Sequence, residues 1–211
     1  MSQVLRPRRV GVFGGAFDPP HQAHVALARA ALAQLGLDEL RIFPTGDAWH
    51  KTRRLSAASD RLAMARLAFE GLPGAVVDER ELSREGPSYT IDTLEALAAE
   101  APGAEFVLLM GGDQWAAFTG WHRWQDIATR ARLCVLARPG SAEALPAGLA
   151  PPLQLVLPPM DVSATALREA LADGHLSPEE QARLLPEAVA RYISTHGLYG
   201  RPQPGLTAPH A

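Results

Sequence analysis

The strongest constraint in this chain is a rhythm. Short apolar runs alternate with helix-length amphipathic stretches along most of its length. Val10–Phe13 reads as a buried strand ended by Gly14 and Gly15, and 21–35 as a helix with apolar or small residues at 25, 28, 31, 32 and 35. Leu40–Phe43 is a second strand, and the polar loop 44–58 leads to a helix that Ser59 or Asp60 caps and that runs to Glu70. Ala75–Val77, Phe106–Met110, Leu133–Ala137 and Leu153–Leu157 supply four more strands. Between them lie a helix opened by Ser88-Tyr89-Thr90 and running to Glu100, and a Trp-rich helical stretch over 114–128. After the last strand, Ser163, Ser177 and Pro186 each open a helix. Strand–helix alternation of this kind implies an α/β fold with a doubly wound, mainly parallel sheet. The helical part from about 163 is a small C-terminal extension. One domain over 1–199 is expected, followed by a disordered tail over 200–211.

In such sheets ligands bind beyond the carboxyl ends of the strands, where strand order reverses. The informative residues are therefore those in the turns after strands. The first turn, GGAFDPPHQAH, places two glycines after β-structure and two histidines, His21 and His24, three apart at a helix start. Glycine lets a backbone approach a ligand closely, and helix-start N–H groups face anions. A phosphate chain suits this set. The glycine spacing is not the dinucleotide fingerprint, and no Gly-Lys-Ser/Thr occurs. Zinc would need a third protein ligand at a familiar spacing, and none follows, so no metal ligands are assigned. VSATALR opens the helix after the last strand, and Ser163, Thr165, the helix start and Arg168 form a second anion-binding set.

These two segments resemble the paired motifs of the nucleotidyltransferase α/β phosphodiesterase superfamily, whose sheet is Rossmann-like. The His-Lys pair at 50–51, PSYTIDTL, GGDQWAAFTGWHRWQDI and the closing YISTHGLY are similar to the bacterial nicotinate-nucleotide adenylyltransferase family. The resemblance runs from Val10 to Tyr199. It departs from the family pattern at Ala16, Ala23, Ala164 and Trp49, which stand where Ser or Thr, Gly, Ser and Pro are usual. It implies transfer of an adenylyl group from ATP to nicotinate mononucleotide, with pyrophosphate leaving directly and no covalent intermediate. Mg²⁺ would ride on the ATP phosphates. Gly14, Gly15, Ala16 and Phe17 would line the ATP side with main-chain amides. His21, His24 and Arg168 would carry the catalysis, with Ser163 and Thr165 on the β- and γ-phosphates and Gly111 and Asp113 near the ribose. Arg138 would either touch ATP or stay solvated. His50 and Lys51 would meet the mononucleotide phosphate. Tyr89 and Thr90 would meet the nicotinate carboxylate, and Trp121 would stack on the pyridine ring with His122 beside it. Trp115, Trp124, Tyr192 and Tyr199 read as packing residues, and His175 and His196 as surface residues.

Composition narrows the rivals. The formal net charge is -3 and the pI about 6.2, which disfavours a nucleic-acid partner bound through bulk charge. No apolar run is long enough for a membrane span, and the first residues lack a cleavable leader, so a cytoplasmic protein is expected. The 20 basic residues divide into 19 Arg and a single Lys, Lys51. The His-x-x-His motif also resembles that of class I aminoacyl-tRNA synthetases, but their loop with two lysines cannot be built from one Lys. Adenylyltransferases acting on the amide mononucleotide or on phosphopantetheine, and a non-catalytic nucleotide sensor, are the remaining alternatives. Self-association is left open. The lone Cys134 sits in an apolar run and reads as a buried structural thiol.

Overall fold

A computed structural model describes residues 6–46, 55–136, 149–158, 160 and 162–200. Six strands form one sheet: β1 (Arg9–Gly15), β2 (Glu39–Pro44), β3 (Ala75–Val77), β4 (Glu105–Met110), β5 (Ala131–Leu136) and β6 (Leu153–Leu155). Their order is β3-β2-β1-β4-β5-β6 and every pairing is parallel. The expectation of a mainly parallel sheet is met, and β6 is two residues shorter than expected. β1 is central, with β2 on one side and β4 on the other. Strand order therefore reverses at β1, so the crevice in which such sheets bind ligands falls beyond the carboxyl ends of β1 and β4.

Alternation along the strands divides the core between the two faces. Phe13, Leu40, Ile42, Val107, Leu109, Cys134 and Leu155 point to one face. It is covered by α1 (Gln22–Gln34), α2 (Ala58–Phe69) and the C-terminal helices α6 (Ala164–Asp173), α7 (Pro178–Leu184) and α8 (Glu187–Thr195). Cys134 is buried there, and burial pushes its thiol up to about 11, so it is inert at neutral pH. Val10, Val12, Phe43, Phe106, Leu108, Met110, Leu133 and Val135 point to the opposite face, under α3 (Thr90–Glu100), α4 (Gly112–Ala116) and α5 (Trp124–Arg130).

On the second face, β2 carries charged residues at its start. Glu39 and Arg41 lie there, two residues apart on one strand face. An ion-pair ladder covers them, running from Arg8 through Glu39, Arg41, Asp78 and Arg80 to Glu100 at the end of α3. Arg80 also lies over the Phe43 ring, 5.8 Å from its centroid.

The Trp-rich stretch corrects an expectation. It is not one helix over 114–128 but α4, a 3-10 turn at Phe118–Gly120, and α5. Arg123 breaks it in the left-handed region, with φ 54°. The breaks let Trp115 and Trp124 converge on the fully buried Phe118, each ring 5.9 Å from it. In a continuous helix Trp115 and Phe118 would still be neighbours, but Trp124 would project about 120° around the axis from Phe118, away from its ring. A smaller difference is the start of α2, where Ala57 holds the cap position, whereas α3 opens at Tyr89 and Thr90 as expected.

Candidate active site

The turn after β1 is built from the strand outward. Backbone pairing of β1 with β2 continues one step past the strands, through Thr45 N–H to Gly15 O at 2.9 Å. Phe17 then takes φ 47°, in the left-handed region. That conformation costs about 1 kcal/mol for a residue with a Cβ. Burying its ring against Phe13, Phe69 and His24, at 5.4, 5.7 and 5.1 Å between centroids, offsets the cost. The expected role of Phe17 is narrowed accordingly: its ring faces the core, so only its main chain is available to a ligand.

Gly14 has an unusual reason to be glycine. A Cβ there would meet no atom within 4 Å among the described residues, and the same holds at Gly111. Neither residue has a positive φ. Their own fold does not require glycine, so these two positions, at the ends of the adjacent strands β1 and β4, are open toward the crevice. Gly15 differs, because a Cβ would press on the Phe17 ring at 3.0 Å.

His21 holds the cap position of α1, and His24 follows in its first turn. Their rings stack at 3.7 Å. His21 N–H donates to His24 Nδ1 at 3.1 Å. A neutral His24 therefore carries its proton on Nε2, which makes that atom a donor. Burial holds His21 down at about 4, so its ring is neutral at physiological pH. His21 Nδ1 is buried with no hydrogen-bond partner among the described residues.

The two sequence motifs meet. Arg168 Nη1, in α6, donates to Asp18 O at 2.7 Å across 150 residues, and its Nη2 donates to Thr165 Oγ1 at 3.0 Å. Ser163 caps α6 by accepting from Ala166 N–H at 3.1 Å. Asp18 is buried, and its carboxylate accepts from Tyr199 O–H at 2.7 Å and from Ser56 N–H at 3.2 Å. Tyr199 was expected only to pack. Instead it ties the chain's C-terminal segment to the first motif, and burial beside Asp18 pushes its hydroxyl pKa far up.

On the other side of the switch point, Gly111 N–H donates to the Gln114 side chain at 3.0 Å, and Asp113 is exposed. The Tyr89 and His122 rings lie 4.3 Å apart, so the PSYT and GWHRW segments come together. Trp121 packs edge-on to Phe118 at 5.7 Å and is partly exposed. Thr90 begins α3, where unpaired helix-start amides gather. Glu81 braces this region from below. Buried, with its pKa raised by that burial, it accepts from Thr93 Oγ1 at 2.8 Å, and its main-chain oxygen accepts from Ser88 Oγ at 3.1 Å. Trp115 is buried and Trp124 partly so, as expected, and His175 and His196 are exposed. His50, Lys51 and Arg138 lie outside the described residues, as does Trp49.

Two residues escaped the sequence reading. Tyr199 carried no signal beyond its place in the closing motif. Arg61 did carry one: it lies at the head of the buried stripe 61, 64, 65, 68 of α2, where an apolar residue is expected. Among the described residues, no three of His, Cys, Asp or Glu gather as a metal-ion cluster.

The arrangement is a crevice with helix-start amides, two histidines and an arginine at one side and aromatic rings at the other. A family model described as cytidylyltransferase-like matches residues 12–170. This chain belongs to the cytidylyltransferase-like family. It is 53% identical over 201 residues to a probable nicotinate-nucleotide adenylyltransferase of Albidiferax ferrireducens, covering 91% of this chain and 98% of that one. It is 42% identical over 205 residues to a protein of the same description from Methylibium petroleiphilum, covering 95% and 97%. The fold is also that of Plasmodium falciparum nicotinic acid mononucleotide adenylyltransferase complexed with APC, with TM-score 0.73 at 15% identity, over 91% of this chain and 97% of that one. No helix among the described residues is long and apolar enough to cross a membrane.

Proposed function

We propose that this protein joins nicotinate mononucleotide to ATP, giving nicotinate adenine dinucleotide and pyrophosphate. The observation that carries the reading is the Arg168–Asp18 contact, which brings both anion-binding motifs to the switch point of the sheet. Close kinship with proteins of that description supports it.

The mononucleotide phosphate already bears the attacking oxygen, so no general base is needed. Attack on the α-phosphorus spreads charge over phosphoryl oxygens and the leaving pyrophosphate. The protein supplies position and charge neutralisation. Mg²⁺ carried on the ATP phosphates would supply further charge neutralisation, with no protein ligands assigned to it. His24 Nε2–H is the donor aimed at the α-phosphate, and it needs no change of protonation to act. His21, neutral and stacked against it, caps the helix whose first amides face the phosphates. Arg168, Thr165 and Ser163 hold the β- and γ-phosphates, while Gly14–Phe17 lend main-chain amides. Gly111 and Asp113 take the ribose, and Arg138 stays at the ATP edge. His50 and Lys51 take the mononucleotide phosphate.

On the pyridine side, Trp121 stacks on the ring beside His122. The Thr90 amide and its neighbour Tyr89 take the carboxylate. A site built from N–H donors favours a carboxylate over a carboxamide. The amide sets N–H against N–H, at a cost of a few kcal/mol. The reaction belongs in the cytoplasm, with no nucleic-acid or membrane partner.

The test is pyrophosphate release from ATP and Mg²⁺ with either the acid or the amide mononucleotide. Release with the acid, and much less with the amide, is expected. No release with either overturns the reading, and a preference for the amide moves the protein to a neighbouring activity.

A further inference from the structure

Arg61 is 3% exposed and spends its guanidinium on main-chain carbonyls of two separate turns. Nη1 donates to Ala16 O at 3.0 Å and to Thr45 O at 2.7 Å, and Nε donates to Ser56 O at 3.2 Å. Ala16 lies in the turn after β1. Thr45 and Ser56 are the two ends of the connection after β2, and His50 and Lys51 fall between them in the chain. Ser56 is held twice, since its N–H also donates to the Asp18 carboxylate.

A trans peptide is planar, with its C=O and N–H pointing in opposite directions. Fixing the Ala16 carbonyl toward Arg61 therefore turns the Phe17 N–H away from it. Fixing the Thr45 carbonyl does the same for the Gly46 N–H. One rigid, planar cation thus sets the tilt of peptide planes in both turns. Gly46 leaves no slack in this arrangement, because a Cβ there would lie 2.1 Å from Glu81 O.

We propose that Arg61 is a positioning residue for both substrates at once. It orients main-chain donors for the ATP phosphates through Ala16, and it anchors the mononucleotide connection through Thr45 and Ser56. This rests on the adenylyl-transfer reading above.

The test compares Arg61→Gln and Arg61→Lys with Ala68→Gly, which removes a methyl from the same buried stripe two turns along. KM for ATP, KM for nicotinate mononucleotide, kcat and thermal unfolding are measured for each. In Arg61→Gln both KM values should rise together by about fivefold or more, the effect of losing at least one net hydrogen bond. Arg61→Lys, with a charge but no planar fork, should lie between Gln and wild type. Ala68→Gly should lose stability and keep both KM values. Wild-type KM values in a folded Arg61 variant, a rise in only one of them, or an equal rise in Ala68→Gly would overturn the proposal. If Arg61→Gln does not fold, Arg61→Lys decides by the same criteria. Calorimetric ATP binding gives a reading independent of turnover, and an unchanged Kd in the variants also overturns it. An inactive wild type would instead count against the reaction itself.

Discussion

The turn after β1 and the crossing after β4 flank the same crevice, and they are held in place by different means. In the first, Ala16 and Asp18 are bonded by Arg61, Ser56, Tyr199 and Arg168, which lie 45, 38, 181 and 150 residues away in sequence from their partners. In the second, the main-chain hydrogen bonds are local: Gly111 with Gln114 and Trp115, Asp113 with Ala117, Ala117 with Gly120, and Phe118 with Trp121. The buried long-range anchors of that crossing are apolar, through Trp115, Phe118 and Ile127, and its long-range polar contacts are surface ion pairs from Arg123 and Arg130 to Glu95 of α3. Directional polar tethers fix the donors that a phosphate chain needs at defined angles. Non-directional apolar packing is enough to present an aromatic face to a planar ring.

That contrast is open to breakage from both ends. The largest effect is expected at His24, whose Nε2 donor geometry depends on the His21 N–H bond. His24→Ala should lower kcat by about 10²–10³-fold while KM for the mononucleotide changes little. Steady-state kinetics check this, and near-normal kcat would remove His24 from the chemistry.

Next in size is a pH effect on the same turn. His21 has its pKa lowered from 6.5 to about 4 by burial, so the unfolded chain binds the proton more tightly than the fold does. Its contribution is full above pH 6.5 and is lost as pH falls toward 4, by ~3 kcal/mol in all. Urea unfolding between pH 7 and 4 measures it. His21→Gln should flatten that slope, and an unchanged slope would contradict the burial argument.

On the apolar side, Trp121→Ala should raise KM for nicotinate mononucleotide about tenfold, the size of one aromatic stack, and leave KM for ATP near wild type. Equal changes in both would erase the contrast between the two regions. The smallest effect belongs to Gly14. Gly14→Ala should keep stability within about 1 kcal/mol of wild type, because the added methyl meets nothing and the unfolded chain loses freedom. Its KM for ATP should nevertheless rise. A destabilised variant with normal KM would show that the glycine serves the fold instead.

Much of this was legible in the sequence because it is local. Strand and helix periodicity, the glycine stop after β1 and the helix caps at Ser163 and Ser177 all depend on neighbours a few residues away. The tethers of the first turn are not local. Nothing near Tyr199 announces Asp18, and only the misplaced charge on the apolar stripe of α2 hints at Arg61. The Trp-rich stretch misled for a related reason. Its flanks, 112–116 and 124–130, do form helix, but Gly120 is a poor helix former and the packing of three tryptophan rings around Phe118 turns the chain at Gly120 and Arg123. The lone lysine gained meaning from the motif around it, in a connection whose two ends are held by Arg61.

The central claim is direct transfer of an adenylyl group between two bound nucleotides. It is tested most directly with ATP labelled at the α-phosphorus, nicotinate mononucleotide and Mg²⁺, sampled within a single turnover. The label should pass into the dinucleotide, unlabelled pyrophosphate should leave with it, and no label should reside on the protein. Label trapped on the protein, or label released without dinucleotide, would contradict the account.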